Sequence, residues 1–172
     1  MANFYLPIFN SSVKPDSTGN ATFGPPTDAG FTNASELALI LKDDASECGV
    51  YYNVPVFIGG LTASAASLEI LWGINSGTTE EVAFRHDYKC VAEDEDLDFD
   101  PKSSSDESHT GQLSAAHATA KRLRKKSISL TYGNFVDGKI SRGWFGRDND
   151  DADDDIAADV VVFAAYIKVT AS

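Results

Sequence analysis

Short alternations of apolar and polar residues, separated by turn-rich clusters, run through most of the chain. In the stretch 67–73, Leu68, Ile70 and Trp72 fall on one side. In 81–92, Val82, Phe84, His86, Tyr88 and Cys90 share a side, while Arg85, Asp87 and Lys89 take the other. Successive side chains of an extended strand point to opposite faces, so this period of two predicts strands with one buried and one wet face. Ile128, Leu130 and Tyr132 repeat the pattern against Ser127, Ser129 and Thr131. Further runs of strand character at 36–42, 49–57, 139–147 and 156–170 are bounded by Gly, Asn, Asp or Ser. The succession predicts an all-β fold, an antiparallel sandwich or barrel.

The closing run has two apolar faces. Val161, Phe163, Ala165, Ile167 and Val169 form one, and Val160, Val162, Ala164 and Tyr166 form the other. Both need cover, from a deep core of the monomer or from a neighbouring subunit. Residues 1–34 open with a short alternating piece over 4–9 and continue rich in Ser, Thr, Asn, Gly and Pro, including Gly24-Pro25-Pro26. That composition breaks helices and carries too little apolar area to fold alone, so it reads as an extended N-terminal arm on a domain of 35–172. The stretch 114–126 has good helix formers but no apolar face. It reads as a connecting loop with a helical turn, within a long charged crossover over 93–126.

A length of 172 residues suits one domain. The formal charge of −12 would repel a phosphate backbone, which argues against nucleic acid, and equally against an anionic membrane surface. No apolar run approaches the roughly 20 residues of a spanning helix. The N-terminus lacks the basic start and apolar stretch of a secretory signal.

The acidic run 148–155 offers carboxylates to a hard cation, yet it departs from the EF-hand pattern. Counted from Asp148, the sixth position is Asp153 instead of Gly and the twelfth is Asp159 instead of Glu. This run and a second at 93–100 read as solvated turns. Cys48 and Cys90 lie in strand-like segments and read as two buried thiols in preference to one disulfide; no CxxC or HxxxH spacing suggests zinc. His86, on an apolar face, reads as a core histidine, whereas His109 and His117 lie in the polar crossover. No Ser, His and Asp set occurs in a GxSxG context, and there is no phosphate loop. The expectation is therefore a protein that is not an enzyme, with no catalytic, cofactor-binding or metal-binding residues and no cofactor. The basic run 121–126 is expected to pair with the acidic loops, within or between subunits.

One resemblance follows these features in order over 31–170. It is carried by Leu68, Ile70 and Trp72, the small-residue turn Asn75-Ser76-Gly77-Thr78, and the alternating strand from Val82. It continues through the turn Asp137-Gly138, the strand bearing Arg147, the acidic turn 148–155 and the apolar strand 159–169. The chain resembles small jelly-roll structural proteins of tailed-bacteriophage virions. The resemblance implies an antiparallel jelly-roll sandwich of about eight strands and a place on the phage particle, commonly as a trimer, after synthesis in the host cytoplasm. The function expected from it is capsid decoration or cement. Copies would self-associate and bind the major capsid protein or another virion protein, the arm adding strand pairing to a neighbour. The alternative is a tail-tip or fibre head that holds a host surface glycan through aromatics such as Tyr51, Trp144 or Phe145. A glycosidase would need two carboxylates facing across a cleft, about 5 to 9 Å apart.

Overall fold

The computed structural model describes residues 1–9, 13–17, 20–32, 36–43 and 46–172; the parts of the N-terminal segment at 10–12, 18–19 and 33–34 lie outside the described residues. The strands are β1 (Ala2–Pro7), β2 (Lys14–Pro15), β3 (Thr22–Gly24), β4 (Ala38–Leu41), β5 (Cys48–Pro55), β6 (Ala63–Gly73), β7 (Glu81–Val91), β8 (Glu107–Ala115), β9 (Arg124–Leu130), β10 (Ile140–Arg147) and β11 (Val160–Ala171). They form two antiparallel sheets. One runs β3-β4-β11-β6-β9, and the other runs β2-β5-β10-β7-β8. Along β11, β6 takes one edge over most of its length, while β4 pairs with Val160–Val162 and β1 with Tyr166–Ala171.

The core lies where the apolar faces meet. Leu68, Ile70 and Trp72 of β6 and Ile128 and Leu130 of β9 face Val50, Tyr52 and Val54 of β5, Val82, Phe84 and Tyr88 of β7, and Phe145 of β10. Burying each such side chain stabilises the sandwich by about 1.5–3 kcal/mol, which explains why the period of two sets the register. Cys48 and Cys90 are both buried, with no disulfide between them. Among the described residues no helix is long and apolar enough to cross a membrane.

The doubly apolar closing strand is accommodated by a β-bulge. A register shift between Val162 and Ala164 changes the parity, so Val160 and Val162 and then Ala165, Ile167 and Val169 all face the core. Val161, left on the outer face, is covered by Ala29, Ala38, Ile40 and Phe31, where the 3-10 turn Pro26–Ala29 lies over the sheet. Cover for this part of β11 therefore comes from the chain itself. Of the described pieces of 1–34, three are strands of these sheets, β1 on β11, β2 on β5 and β3 on β4, while Pro26–Ala29 is a 3-10 turn.

The region 93–126 differs from the expected crossover, because it contains β8 and the start of β9, joined by turns without a helical turn. The alternation in β8 was hidden because its inward positions are polar. Glu107 accepts a hydrogen bond from the Tyr88 hydroxyl, His109 stacks on His86, and the Ser114 hydroxyl accepts from Trp72 Nε1 at 3.3 Å. Within the chain, and among the described residues, the basic run pairs with neither acidic loop. Arg124 donates to the carbonyls of Ala115 and Ala116, Lys126 to that of Leu113, and Lys125 pairs with Glu69, so the run fastens β9 to β8 and β6.

The acidic turn 148–155 is not merely solvated either. Arg147 is buried, and its guanidinium holds Asp154 through hydrogen bonds at 2.5, 2.9 and 3.2 Å and also donates to the carbonyls of Ile156 and Ala158. Asp154 in turn accepts from the Ala83 N–H, and Asp155 from the Glu81 N–H. These carboxylates lock the turn to the end of β7.

Candidate functional site

On the outer face of the five-stranded sheet the register places chemistry in two adjacent rows. Lys14, Tyr51, Trp144 and Asp87 are cross-strand neighbours in one; Asn53, Arg142 and Lys89 are in the next. The loop 92–106 between β7 and β8 folds back over both rows. Its effect on each is different.

At the Trp144 and Asp87 end of the first row the loop closes. Trp144 is fully buried, its Nε1 donates to Asp16 Oδ2 at 2.9 Å, and Lys102 Nζ sits 4.6 Å from its ring centre. Lys102 also pairs with Glu47 at 2.5 Å, while Arg85 bonds Glu47 and Asp87. Burial would raise the Glu47 carboxyl, but the ammonium of Lys102 and the guanidinium of Arg85 hold it below the usual range. A Cβ at Gly49 or Gly146 would run into the indole, so both glycines are needed for Trp144 to lie flat on the sheet.

Beside this closed cluster the face opens into a cavity of about 580 Å³. It is lined by Lys14, Tyr51, Asn53, Asp98, Phe99 and Arg142, together with Asp100, Pro101 and the Tyr52 and Gly143 positions. Phe99 lies close to two cations, 4.9 Å from the Arg142 guanidinium and 5.1 Å from Lys89 Nζ. Arg142 Nε donates to Asn53 Oδ1 at 3.0 Å, and another guanidinium nitrogen donates to the Leu97 carbonyl, so the loop is held to the sheet by Arg142. The Tyr51 hydroxyl lies 3.5 Å from Asp100 Oδ1. Burial first, and then the charges of Asp16 and Asp100, push its pKa up to about 12, so it stays protonated and donates.

This arrangement offers two aromatic rings, an amide, a guanidinium, an ammonium and two carboxylates around one opening. Aromatic faces take the C–H side of a sugar ring, and the planar polar groups match its hydroxyls. Asp98 and Asp100 enter from one loop, two residues apart. Among the described residues there is no cluster of three or more His, Cys, Asp or Glu side chains suited to a metal ion.

Of the aromatics singled out in the sequence, Tyr51 lines the opening, whereas Trp144 and Phe145 are fully buried, one under the loop and one in the core. His86 is a core residue hydrogen-bonded to the Tyr52 hydroxyl at 2.7 Å, and it lies outside the cavity, as do His109 and His117. The sequence reading missed Lys14, Asn53, Phe99 and Arg142. One signal was present: Phe99 is the lone aromatic in an acidic run that a purely solvated loop would not need.

No family model matches the sequence, and no curated protein matches it. Solved structures do share its fold. An isomalto-dextranase of Arthrobacter globiformis T6, solved with panose, superposes with a TM-score of 0.58 at 11% identity, covering 97% of this chain but only 23% of that one. A family 35 carbohydrate-binding module from Clostridium thermocellum gives a TM-score of 0.53 at 12% identity over the whole of both chains. The xylan-binding module CBM15 gives 0.50 at 8% identity over 99% of this chain and 98% of that one. At such identities the likeness establishes the jelly-roll β-sandwich and no more.

Proposed function

We propose that this chain is a carbohydrate-binding module that holds a glycan in the cavity between Tyr51, Phe99 and Arg142. The observation that carries the reading is that one opening brings two aromatic rings together with fixed polar groups on a sheet braced by the buried Trp144 cluster. The shared fold of carbohydrate-binding modules supports it as analogy only. Set on a phage tail tip or fibre, such a module would hold a host surface glycan, which joins the site to the virion resemblance of the strand pattern. Capsid cement has less support. Its physical argument was a free arm adding strands to a neighbour, and the described strands of 1–34 pair within their own chain.

We propose binding without turnover, since the two carboxylates of the cavity, Asp98 and Asp100, stand two residues apart on one loop. A glycan array read with the purified chain, and with Tyr51→Ala and Phe99→Ala, tests the reading. Each variant is expected to keep its circular dichroism spectrum and to bind the selected glycan about 3- to 10-fold more weakly, the range for one lost aromatic contact. Binding unaltered in both variants, or hydrolysis of the glycan, would contradict it.

A further inference from the structure

Two sets of contacts hold the middle of the loop 92–106 to the sheet, and they differ in where they stand relative to the cavity. Around the opening, Arg142 donates to the Leu97 carbonyl, the Tyr51 hydroxyl reaches Asp100, and Arg142 and Lys89 flank the Phe99 ring. Arg142 and Tyr51 also line the cavity, so a sugar whose hydroxyls bond them draws their donors away from the loop. Lys102 does not line the cavity. Its ammonium lies 2.5 Å from Glu47, 3.5 Å from Asp16 and 4.6 Å from the centre of the Trp144 ring, and its carbonyl accepts from Arg85 at 3.4 Å. Neither carboxylate belongs to the loop. Glu47 leads into β5, and Asp16 follows β2 and donates its own N–H to the Gly49 carbonyl at 2.9 Å. A cation held by two largely buried carboxylates over an aromatic face is screened less than an exposed pair. Phe99 stands three residues before Lys102, at most about 11 Å of chain, and the buried Pro101 stiffens the link between them.

Resting on the reading of the cavity as a glycan site, we infer that Lys102 is a positioning residue: from outside the cavity it holds the loop so that Phe99 stands in place for a sugar ring. It keeps that hold when Arg142 and Tyr51 turn to the ligand, because its own partners lie away from the opening. A wall fixed beforehand spares binding the entropy of ordering it. The buried charge cluster around Trp144 and the open cavity beside it are then parts of one device, joined through three residues of loop.

The test is a double-mutant cycle on the full chain with the glycan selected on the array. Lys102→Met keeps an aliphatic stem over Trp144 and removes the charge, while Glu47 retains Arg85 and Asp16 retains Trp144 Nε1. This variant is expected to bind about threefold more weakly, and to add no further loss in the Phe99→Ala background, since a residue acting through Phe99 has nothing to position once the ring is gone. Amide hydrogen exchange of the chain without sugar is expected to quicken at 97–100 and to stay unchanged in β5 and β10. Unaltered affinity of Lys102→Met, losses that add across the cycle, or exchange that quickens throughout the sheet would each overturn the inference and leave the glycan site standing. Failure of the wild-type chain to retain any glycan would bring down both.

Discussion

His86 shows what a single buried residue does to the whole chain. Its ring is fully buried between Tyr52 and Tyr88, and burial, then the charge of nearby His109, pushes its pKa down to about 3. An unfolded histidine takes its proton near pH 6.5, so below that pH the unfolded state binds a proton that the folded state refuses. Stability contributed by neutral His86 is therefore present above about pH 6.5 and is lost progressively as the pH falls towards 3. Glu47, Glu69 and Glu107, whose carboxyls the fold holds low against burial, add losses of the same sign, but only once the pH reaches the ordinary carboxyl range near 4.5. The window from about pH 6.5 to 5 belongs to His86. Thermal melts of the wild type are expected to fall across it, and those of His86→Phe to stay flatter. Equal slopes in the two proteins would refute this.

Arg147 is the second residue of that kind. Replacing it with Met would strand the buried Asp154 carboxylate beside the Ala83 N–H without its cation, and the expected cost is about 3–5 kcal/mol in urea unfolding. The pair was invisible in the sequence, where Arg147 merely precedes a run of acids. His86 was legible because alternation placed it among Phe84 and Tyr88. Phe99 and Arg142 were not, because their meeting depends on a loop folding back over a sheet.

At the scale of elements, alternation located β5, β6, β7, β9, β10 and β11 within a few residues. It failed at β8, where the inward side chains are Glu107, His109 and Ser114, each answered by a polar group. It was ambiguous at β11, where a bulge resolves two apolar faces that no regular strand could bury together. The first strand carries a direct test. Leu6 and Ile8 are buried in the core, so deleting residues 1–9 removes both and bares an edge of β11. The expected loss is about 3–6 kcal/mol by denaturant titration, from two buried aliphatic side chains. An unchanged midpoint would mean that β1 is a detachable arm.

For the molecule as a whole, the sandwich divides its labour. The six-stranded sheet covers its own closing strand with the turn Pro26–Ala29, so β11 supplies no demand for a neighbouring subunit where Val161 is covered. The five-stranded sheet carries a stiff charged cluster under the loop 92–106 and, beside it, an open cavity with aromatic and polar walls. Its fold was legible as class and strand order of magnitude; its site was legible only at Tyr51, because a cavity between a loop and a sheet has no linear signature.

The most direct measurement follows backbone amide shifts of the labelled chain by NMR as the glycan selected on the array is added. Changes confined to Lys14, Tyr51, Asn53, Phe99, Arg142 and their neighbours are expected. Changes centred on the six-stranded sheet, or none with any sugar, would contradict the account.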